Sequence, residues 1–555
     1  MIKTFNVAQT LAETADRIPF QPAIIFPAGH DHAGRAKFVQ LSFRQLNELC
    51  DSYAHGLFEY GIRQGDRIML MIRPGIELIA VAFALLKIGA VPILIDPGMG
   101  LNTLLQCVAE SEPTAFIGIP LAHGIRIIFR KPFKTVRRFV TVGKRLFWHG
   151  ATLDELQNYH RGKFEPAPTT YKSEGAIAFT SGSTGMPKGV VYTHGNFHAQ
   201  IDIIRNQMHI EEGEVHLAGI YIFALFNPAF GVTTVIPDMN PAKTAKLNPS
   251  AFVESIQTHG VTVSFGSPTI WKIVGRYCLK HGITLPSLRH IFMLGAPVPP
   301  SLVKDFSLIL PNGQVFTPFG ATEALPITTI SGDEILSETA KLSEDGKGMC
   351  VGKSLTGLEV RIISISDAPI LKWHESLSLG VGKIGEIVVK GGVVTTTYVN
   401  RPQQTALAKI PDVDGMWHRM GDVGYMDEKG QIWMCGRKSH RVETSNGMML
   451  PVPCEAIFNC HPHVARTALV GIGEPGKQRP VLIVEPSHAK VDQTQLRLAL
   501  LKLGSNHEHT RAIRDILFHP AFPVDVRHNA KIQREKLAVW ATRRLSRAIN
   551  STTYL

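Results

Sequence analysis

The sequence contains no Cys-x-x-Cys pair, no internal repeat, no low-complexity tract and no apolar run of membrane-spanning length. Its seven cysteines, at 50, 107, 278, 350, 435, 454 and 460, are odd in number and scattered, which fits reduced, mostly buried thiols rather than a disulfide framework. Cys454, Cys460, His461 and His463 lie close together, but they lack the close half-site of a zinc module. Pro462 marks a helix end there instead. The longest apolar run, 78–86, is bounded by Glu77 and Lys87, far short of the roughly 20 residues that cross a bilayer. The N-terminus lacks the basic start and greasy centre of a secretory signal, so a cytoplasmic location is expected.

Charged residues are few, at 19%, against 44% hydrophobic, and 49 glycines and 35 prolines are dispersed through the chain. That composition excludes disorder and collagen-like repeats and supplies a large core. A length of 555 residues implies more than one compact unit. Acidic residues are short by comparison with basic ones, 46 against 58, and the net charge of +12 calls for a negative partner. Nucleic acid, phosphorylated small molecules and anionic membrane surfaces all qualify at this point.

Between 40 and 100 the pattern predicts a helix over 43–60, a strand over 67–72, a helix over 76–89 and a strand over 91–95. Alternation of this kind implies a parallel sheet with helices on its faces. Short apolar strands at 176–179, 261–265 and 290–294 each run into a Gly or Ser turn, and such turns at the carboxyl ends of strands are where these folds place ligands. Beyond about 350 the texture changes to short alternating strands, 359–364, 385–390 and 431–436, which suggests a small antiparallel unit. Residues 438–555 read as a separate C-terminal domain.

The strongest local signal follows the 176–179 strand: Thr180, Ser181, Gly182, Ser183, Thr184, Gly185, Met186, Pro187, Lys188, Gly189. Glycines let the backbone approach an anion, hydroxyls and amides donate to phosphate oxygens, and a lysine offsets charge, so the loop suits a phosphate. It is not a Walker loop, because Lys188 comes three residues after Gly185 and is followed by Gly189.

These residues resemble the signature loop of the adenylate-forming superfamily, which includes acyl-CoA synthetases, luciferases and peptide synthetase adenylation domains. Further motifs follow in family order over almost the whole chain. Gly295-Ala296-Pro297 resembles a segment lining the adenine site, and Phe319-Gly320-Ala321-Thr322-Glu323 resembles Tyr-Gly-x-Thr-Glu, with Phe319 in the place of the stacking tyrosine. Gly385-Glu386-Ile387 and Tyr398-x-Asn400-Arg401-Pro402 match two structural signatures. His418-Arg419-Met420-Gly421-Asp422 resembles the motif carrying the ribose-binding aspartate. The resemblance implies an α/β fold: a large N-terminal domain, 1–437, of layered α/β subdomains plus a small β-barrel, then a small mobile α+β domain, 438–555.

It also implies the chemistry. A carboxylate is joined to the α-phosphate of ATP with release of pyrophosphate, which asks for hydroxyls, lysines and Mg2+ rather than a protein nucleophile. Thr180 to Lys188 would hold the β- and γ-phosphates, Thr322 the α-phosphate, Glu323 the Mg2+ and Asp422 the ribose hydroxyls. The hinge between domains reads Gly436-Arg437-Lys438-Ser439, with Ser439 where the family has Asp or Lys. The reacting-carboxylate lysine is placed at Lys531, in Asn529-Ala530-Lys531. Adenylation should therefore survive, and the altered hinge puts thioester formation in doubt.

Segments 117–123, 222–231, 235–239, 265–268 and 522–531 resemble one subgroup more closely, the β-lactone synthetases of bacterial long-chain olefin biosynthesis. Those enzymes adenylate a 2-alkyl-3-hydroxy fatty acid whose own hydroxyl then expels AMP, so proximity replaces a second substrate. A long-chain fatty acid–CoA ligase is the nearest alternative, and a non-catalytic binding protein the next. Phe223, Phe226, Phe265 and Gly266 are expected at the acyl pocket, although core packing explains single phenylalanines equally well. His194, in Thr193-His194-Gly195-Asn196, is a candidate base for the hydroxyl or a structural residue.

No acidic residue occurs from Pro113 to Leu153, while Arg126, Arg130, Lys131, Lys134, Arg137, Arg138, Lys144 and Arg145 interleave with apolar residues. Two readings stand: peripheral contact of 126–145 with an anionic membrane or acidic partner, or a solvated basic face. Other enzymes of the same lipid pathway are further expected partners, and nucleic acid is not.

Overall fold

The computed structural model describes residues 4–32, 36–157, 162–179, 186–524 and 531–552. Two seven-stranded sheets, each parallel but for one edge strand, carry the chain as far as Phe316. One has the order Gln314–Phe316, His290–Met293, Val263–Gly266, Val215–Leu217, Thr233–Val235, Pro22–His30, Ala36–Ser42. The other runs Ala151–Thr152, Arg138–Thr141, Ala115–Gly118, Arg67–Met71, Val91–Leu94, Glu174–Phe179, Gly189–Thr193, with the last pair antiparallel. The expected strands and helices therefore form with ends shifted by a residue or two: 261–265 begins at Val263, and 43–60 and 76–89 are the helices Phe43–Glu59 and Ile76–Ile88.

The apolar run at 78–86 is explained by its place in the core. The Ile76–Ile88 helix is buried on every side and shares one cluster with Ile68 and Leu70 of one sheet and Phe265 and Phe292 of the other. A helix apolar all round belongs between layers. Its one buried cation, Lys87, lies 2.5 Å from Asp51 Oδ1 and 2.7 Å from Asn47 Oδ1, both on the Phe43–Glu59 helix. Ser42 caps that helix through a reciprocal bond with Gln45. Among the described residues no helix is long and apolar enough to cross a membrane.

The antiparallel unit is larger than the sequence suggests. Eight strands, among them Leu358–Ile363, Gly385–Gly391, Gly415–Met426 and Gln431–Arg437, form one sheet with its own core around Ile387, Val389 and Ile432. Past Arg437 the chain builds a three-stranded sheet, Val464–Ile472, Arg479–Pro486 and Asp515–Phe518, covered by the helices Pro451–Asn459, Gln493–Ser505 and Arg534–Thr552. Its clusters, centred on Leu469 and Leu482 and on Ile483 and Leu537, are separate from those of the large sheets.

Candidate active site

A cavity of about 2380 Å³ opens where the carboxyl ends of the parallel strands meet the antiparallel sheet and the C-terminal layer. Lys188, Gly295, Ala296, Pro297, Phe319, Gly320, Thr322, Glu323, Asp422, Arg437 and Lys531 all line it. Thr180, Ser181, Gly182, Ser183, Thr184 and Gly185 lie outside the described residues. Their flanking residues Phe179 and Gly189 pair directly across antiparallel strands, so the loop's two ends are anchored at the edge of a sheet.

Three motifs that read in the sequence as separate signatures converge on Glu323. Tyr398 donates its hydroxyl proton to Glu323 Oε1 at 2.7 Å, and the Glu323 carbonyl accepts from Thr395 N at 2.9 Å and Thr395 Oγ1 at 3.0 Å. The Tyr192 hydroxyl donates to the neighbouring Thr322 carbonyl. The Lys188 ammonium lies 4.9 Å from the centroid of the Tyr398 ring, a cation–π contact, and burial lowers its pKa while Glu323 opposes the shift. Asn400 and Arg401 fix the same segment to the Leu101–Ser111 helix, with Arg401 Nη2 2.6 Å from Glu110 Oε2.

Asp422 and Arg437 are direct partners across two antiparallel strands, and Arg437 Nε sits 3.2 Å from Asp422 Oδ1. Burial pushes the Asp422 carboxyl above its ordinary pKa, and the charges of Arg437 and Lys531 pull it back. Lys531 and Asp422 line the same cavity. Three residues on from Lys531, the Arg534 guanidinium grips Glu455 at 2.6 Å. His418 also lines the cavity, with Nδ1 3.2 Å from the Ala408 carbonyl, and burial holds it well below its ordinary pKa.

Glu386 explains the Gly385-Glu386-Ile387 motif. It is buried against Arg419, with Nη2 to Oε2 at 2.6 Å, and also receives Lys438 Nζ at 3.2 Å on Oε1. Lys438 donates in addition to the Ser366 carbonyl at 2.8 Å, and Arg441 pairs with Asp367. The residues on both sides of Ser439 are therefore fastened to the antiparallel sheet and its 366–367 loop.

The acyl candidates form one wall. Phe223 and Phe265 stack at 4.9 Å, and Phe265 stacks on Phe292 at 4.6 Å. Phe226 meets Phe197 edge to face at 6.2 Å. Gly266 is corrected: it does not itself line the cavity. A Cβ there would stand 2.4 Å from Trp271 Nε1, so the missing side chain makes room for a buried indole behind the wall.

His194 is fully buried and is not among the residues that line the cavity. Its Nδ1 accepts from the Val7 amide at 3.1 Å and burial lowers its pKa to about 4, while Thr193 and Asn196 cap the His194–Gln207 helix reciprocally. That geometry is structural. Lys409 carries no motif and went unmarked in the sequence: its buried amine lies 3.3 Å from Thr395 Oγ1, one step from Glu323, and burial lowers its pKa to about 7.

The chain is similar to several known proteins. Residues 11–399 match the family described as AMP-binding enzyme. The chain is 45% identical over 556 residues to the olefin beta-lactone synthetase of Stenotrophomonas maltophilia, covering 99% of this chain and all of the other. It is 25% identical over 464 residues to a long-chain-fatty-acid–CoA ligase of Thermus thermophilus, with 81% of each chain covered. The fold superposes on the amide bond synthetase McbA of Marinactinospora thermotolerans with a TM-score of 0.77 at 21% identity, over 96% of this chain and 99% of that one.

Proposed function

The chain belongs to the AMP-binding enzyme family, and we propose that it is a ligase that uses ATP and Mg2+ to convert a 2-alkyl-3-hydroxy fatty acid to a β-lactone. A carboxylate oxygen of the acid attacks the α-phosphorus of ATP and the bond to the β-phosphate breaks, releasing pyrophosphate. The 3-hydroxyl oxygen then attacks the acyl carbon and loses its proton, and the bond to AMP breaks as the four-membered ring closes. Acid and ATP are thus converted to lactone, AMP and pyrophosphate without a second acyl acceptor.

In this reading Lys188 and residues 180–185 meet the β- and γ-phosphates, and Thr322 meets the α-phosphate. Gly295 to Pro297, Phe319 and Gly320 take the adenine, Asp422 with Arg437 the ribose, and Lys531 the reacting carboxylate. The Glu323 carboxylate faces the cavity as a hard oxygen donor already oriented by Tyr398, a donor type that fits Mg2+. When bound, that ion offsets phosphate charge as pyrophosphate departs. The acyl chains lie along Phe223, Phe226 and Phe265. We place the division between the nucleotide- and acyl-binding part, 1–437, and a mobile part carrying Lys531, 438–555, at the Lys438 turn. Cytoplasmic location, contact with other enzymes of the same lipid pathway and peripheral membrane contact through 126–145 belong to the same proposal.

The observation that carries the lactone step is the end-to-end identity of 45% with an enzyme named for that product. A long-chain fatty acid–CoA ligase is the second reading, favoured by the Thermus relative. The two separate in one experiment: the purified protein receives ATP, Mg2+ and either a 2-alkyl-3-hydroxy acid without CoA or a simple fatty acid with CoA. Lactone and AMP from the first mixture are the expected products; thioester from the second and no lactone from the first overturns the proposal.

A further inference from the structure

The helix Pro120–Ile128 turns an apolar stripe outward. Leu121, Ile125 and Ile128 recur at i, i+4 and i+7 and so share one face, and Leu121 is 70% and Ile128 73% exposed. The opposite face is fastened down. His123 stacks on Trp148 at 5.1 Å with planes 6° apart, and the Arg126 guanidinium lies 3.9 Å from the centroid of the Phe139 ring. Trp148, held by its Nε1 bond to Thr141 Oγ1 at 2.9 Å, leaves the next residue back, Phe147, 82% exposed.

The charges along this stretch of chain are of one sign. Of the eight basic residues between 126 and 145, Arg126 is buried, Arg138 is half-buried with its Nε on the Tyr60 carbonyl, and Arg145 pairs with Glu155. Arg130, Lys131, Lys134, Arg137 and Lys144 remain exposed, and among the described residues none is paired with an acidic side chain. Single exposed apolar residues are ordinary, but an exposed helical stripe followed along the same acid-free stretch of chain by an exposed aromatic and five exposed cations is not.

The stripe also continues inward. Leu121 and Ile125 line the cavity together with Ile119, Met71 and Leu104. The exposed apolar face and the cavity wall are therefore one surface, which a solvated basic face or a purely ionic protein contact does not require.

We propose that this face docks on an anionic bilayer and that the long-chain acid enters the cavity from the bilayer past Leu121 and Ile125. The entry route rests on the assigned substrate; the docking rests on the surface alone. Apolar side chains at 128 and 147 reach into the acyl boundary while the cations meet lipid phosphates, so binding requires both.

The test floats the full-length protein with vesicles of phosphatidylglycerol and phosphatidylcholine, and with phosphatidylcholine alone. The wild type is expected to float with the anionic vesicles and to be released by salt. I128S/F147S and K131E/K134E/K144E are each expected to lose more than about five-fold of the bound fraction with unchanged melting. Both variants should release pyrophosphate normally from a short, water-soluble 3-hydroxy acid and several-fold more slowly from a long-chain acid supplied in vesicles. Wild type that leaves anionic vesicles unbound overturns the proposal and assigns the face to an acidic protein; variants that float like the wild type also overturn it. Absence of pyrophosphate release from every acid would remove the assigned reaction while flotation still decides the docking.

Discussion

Tyr398 holds Glu323 at the cavity wall: its hydroxyl donates to Oε1 at 2.7 Å, leaving the carboxylate's remaining acceptor capacity for another partner. The two residues are 75 apart in sequence and come from different signatures, so their pairing is a property of the fold. A hydrogen-bond partner behind an ion's ligand is what aims that ligand, and its loss commonly weakens binding about 10–100-fold.

Y398F is accordingly expected to keep the ring under Lys188 and lose only the donor. The Mg2+ concentration giving half-maximal ATP–pyrophosphate exchange should rise about ten-fold, with roughly 1 kcal/mol lost in stability. A Mg2+ titration of exchange measures the first and a denaturant melt the second; an unchanged titration would show that Tyr398 does not position Glu323.

R437Q removes the cation that opposes the burial-driven rise in the Asp422 pKa. With that cation gone the carboxyl rises further, so at acidic pH a smaller fraction is ionised and able to accept from ribose hydroxyls. The KM for ATP should rise about ten-fold at pH 6 and less at pH 8, a pH dependence that a purely structural defect would not give. KM measured across that range in wild type and variant is the check.

Lys409 has its pKa lowered by burial from 10.5 to about 7. Between pH 7 and 10.5 the unfolded chain therefore binds the proton that the folded chain has lost, and stability rises with pH through that window. Below pH 7 both forms are protonated and the full disadvantage of burying the charge applies. K409M should be more stable than the wild type at pH 6 by roughly 3–5 kcal/mol, less about 1 kcal/mol for the bond to Thr395, with the advantage fading towards pH 10. Urea midpoints at pH 6, 8 and 10 test it, and a pH-independent difference would refute the buried-amine account.

The aromatic wall separates packing from substrate contact. G266A places a methyl 2.4 Å from a buried indole nitrogen and should cost about 1–3 kcal/mol by overpacking, whatever the acid. F223A, at a half-buried ring facing the cavity, should instead raise KM for long-chain acids about ten-fold while sparing short ones. Chain-length series in both variants distinguish the two effects; a loss in F223A that ignores chain length would place Phe223 with the core.

Much of the fold and the site was legible before folding. Alternation of helix and strand over 43–95 specifies a parallel sheet because period 3.6 and period 2 cannot be satisfied by one conformation. The loop at 180–189 read as a phosphate cradle from its residue types, whereas the roles of Glu323, Asp422 and Lys531 came from the resemblance of their motifs to the adenylate-forming signatures. What the Gly-Glu-Ile and Tyr-x-Asn-Arg-Pro signatures are for was not legible: Glu386 becomes intelligible only when Arg419 and Lys438 arrive from other strands, and Tyr398 only when Glu323 does.

The layers, the order of the chemical groups and the one-signed run of charge from 126 to 145 were all written in the chain, since they depend on local period and composition. Four assignments waited for the folded molecule: that Gly266 serves an indole and not the pocket, that Lys409 is buried beside the site, that His194 braces a structural junction, and that Leu121 belongs to the surface and the cavity at once. One cause underlies all four. Burial, and with it dielectric, clash and charge compensation, is set by chain segments scores of residues apart, and no local pattern carries that information.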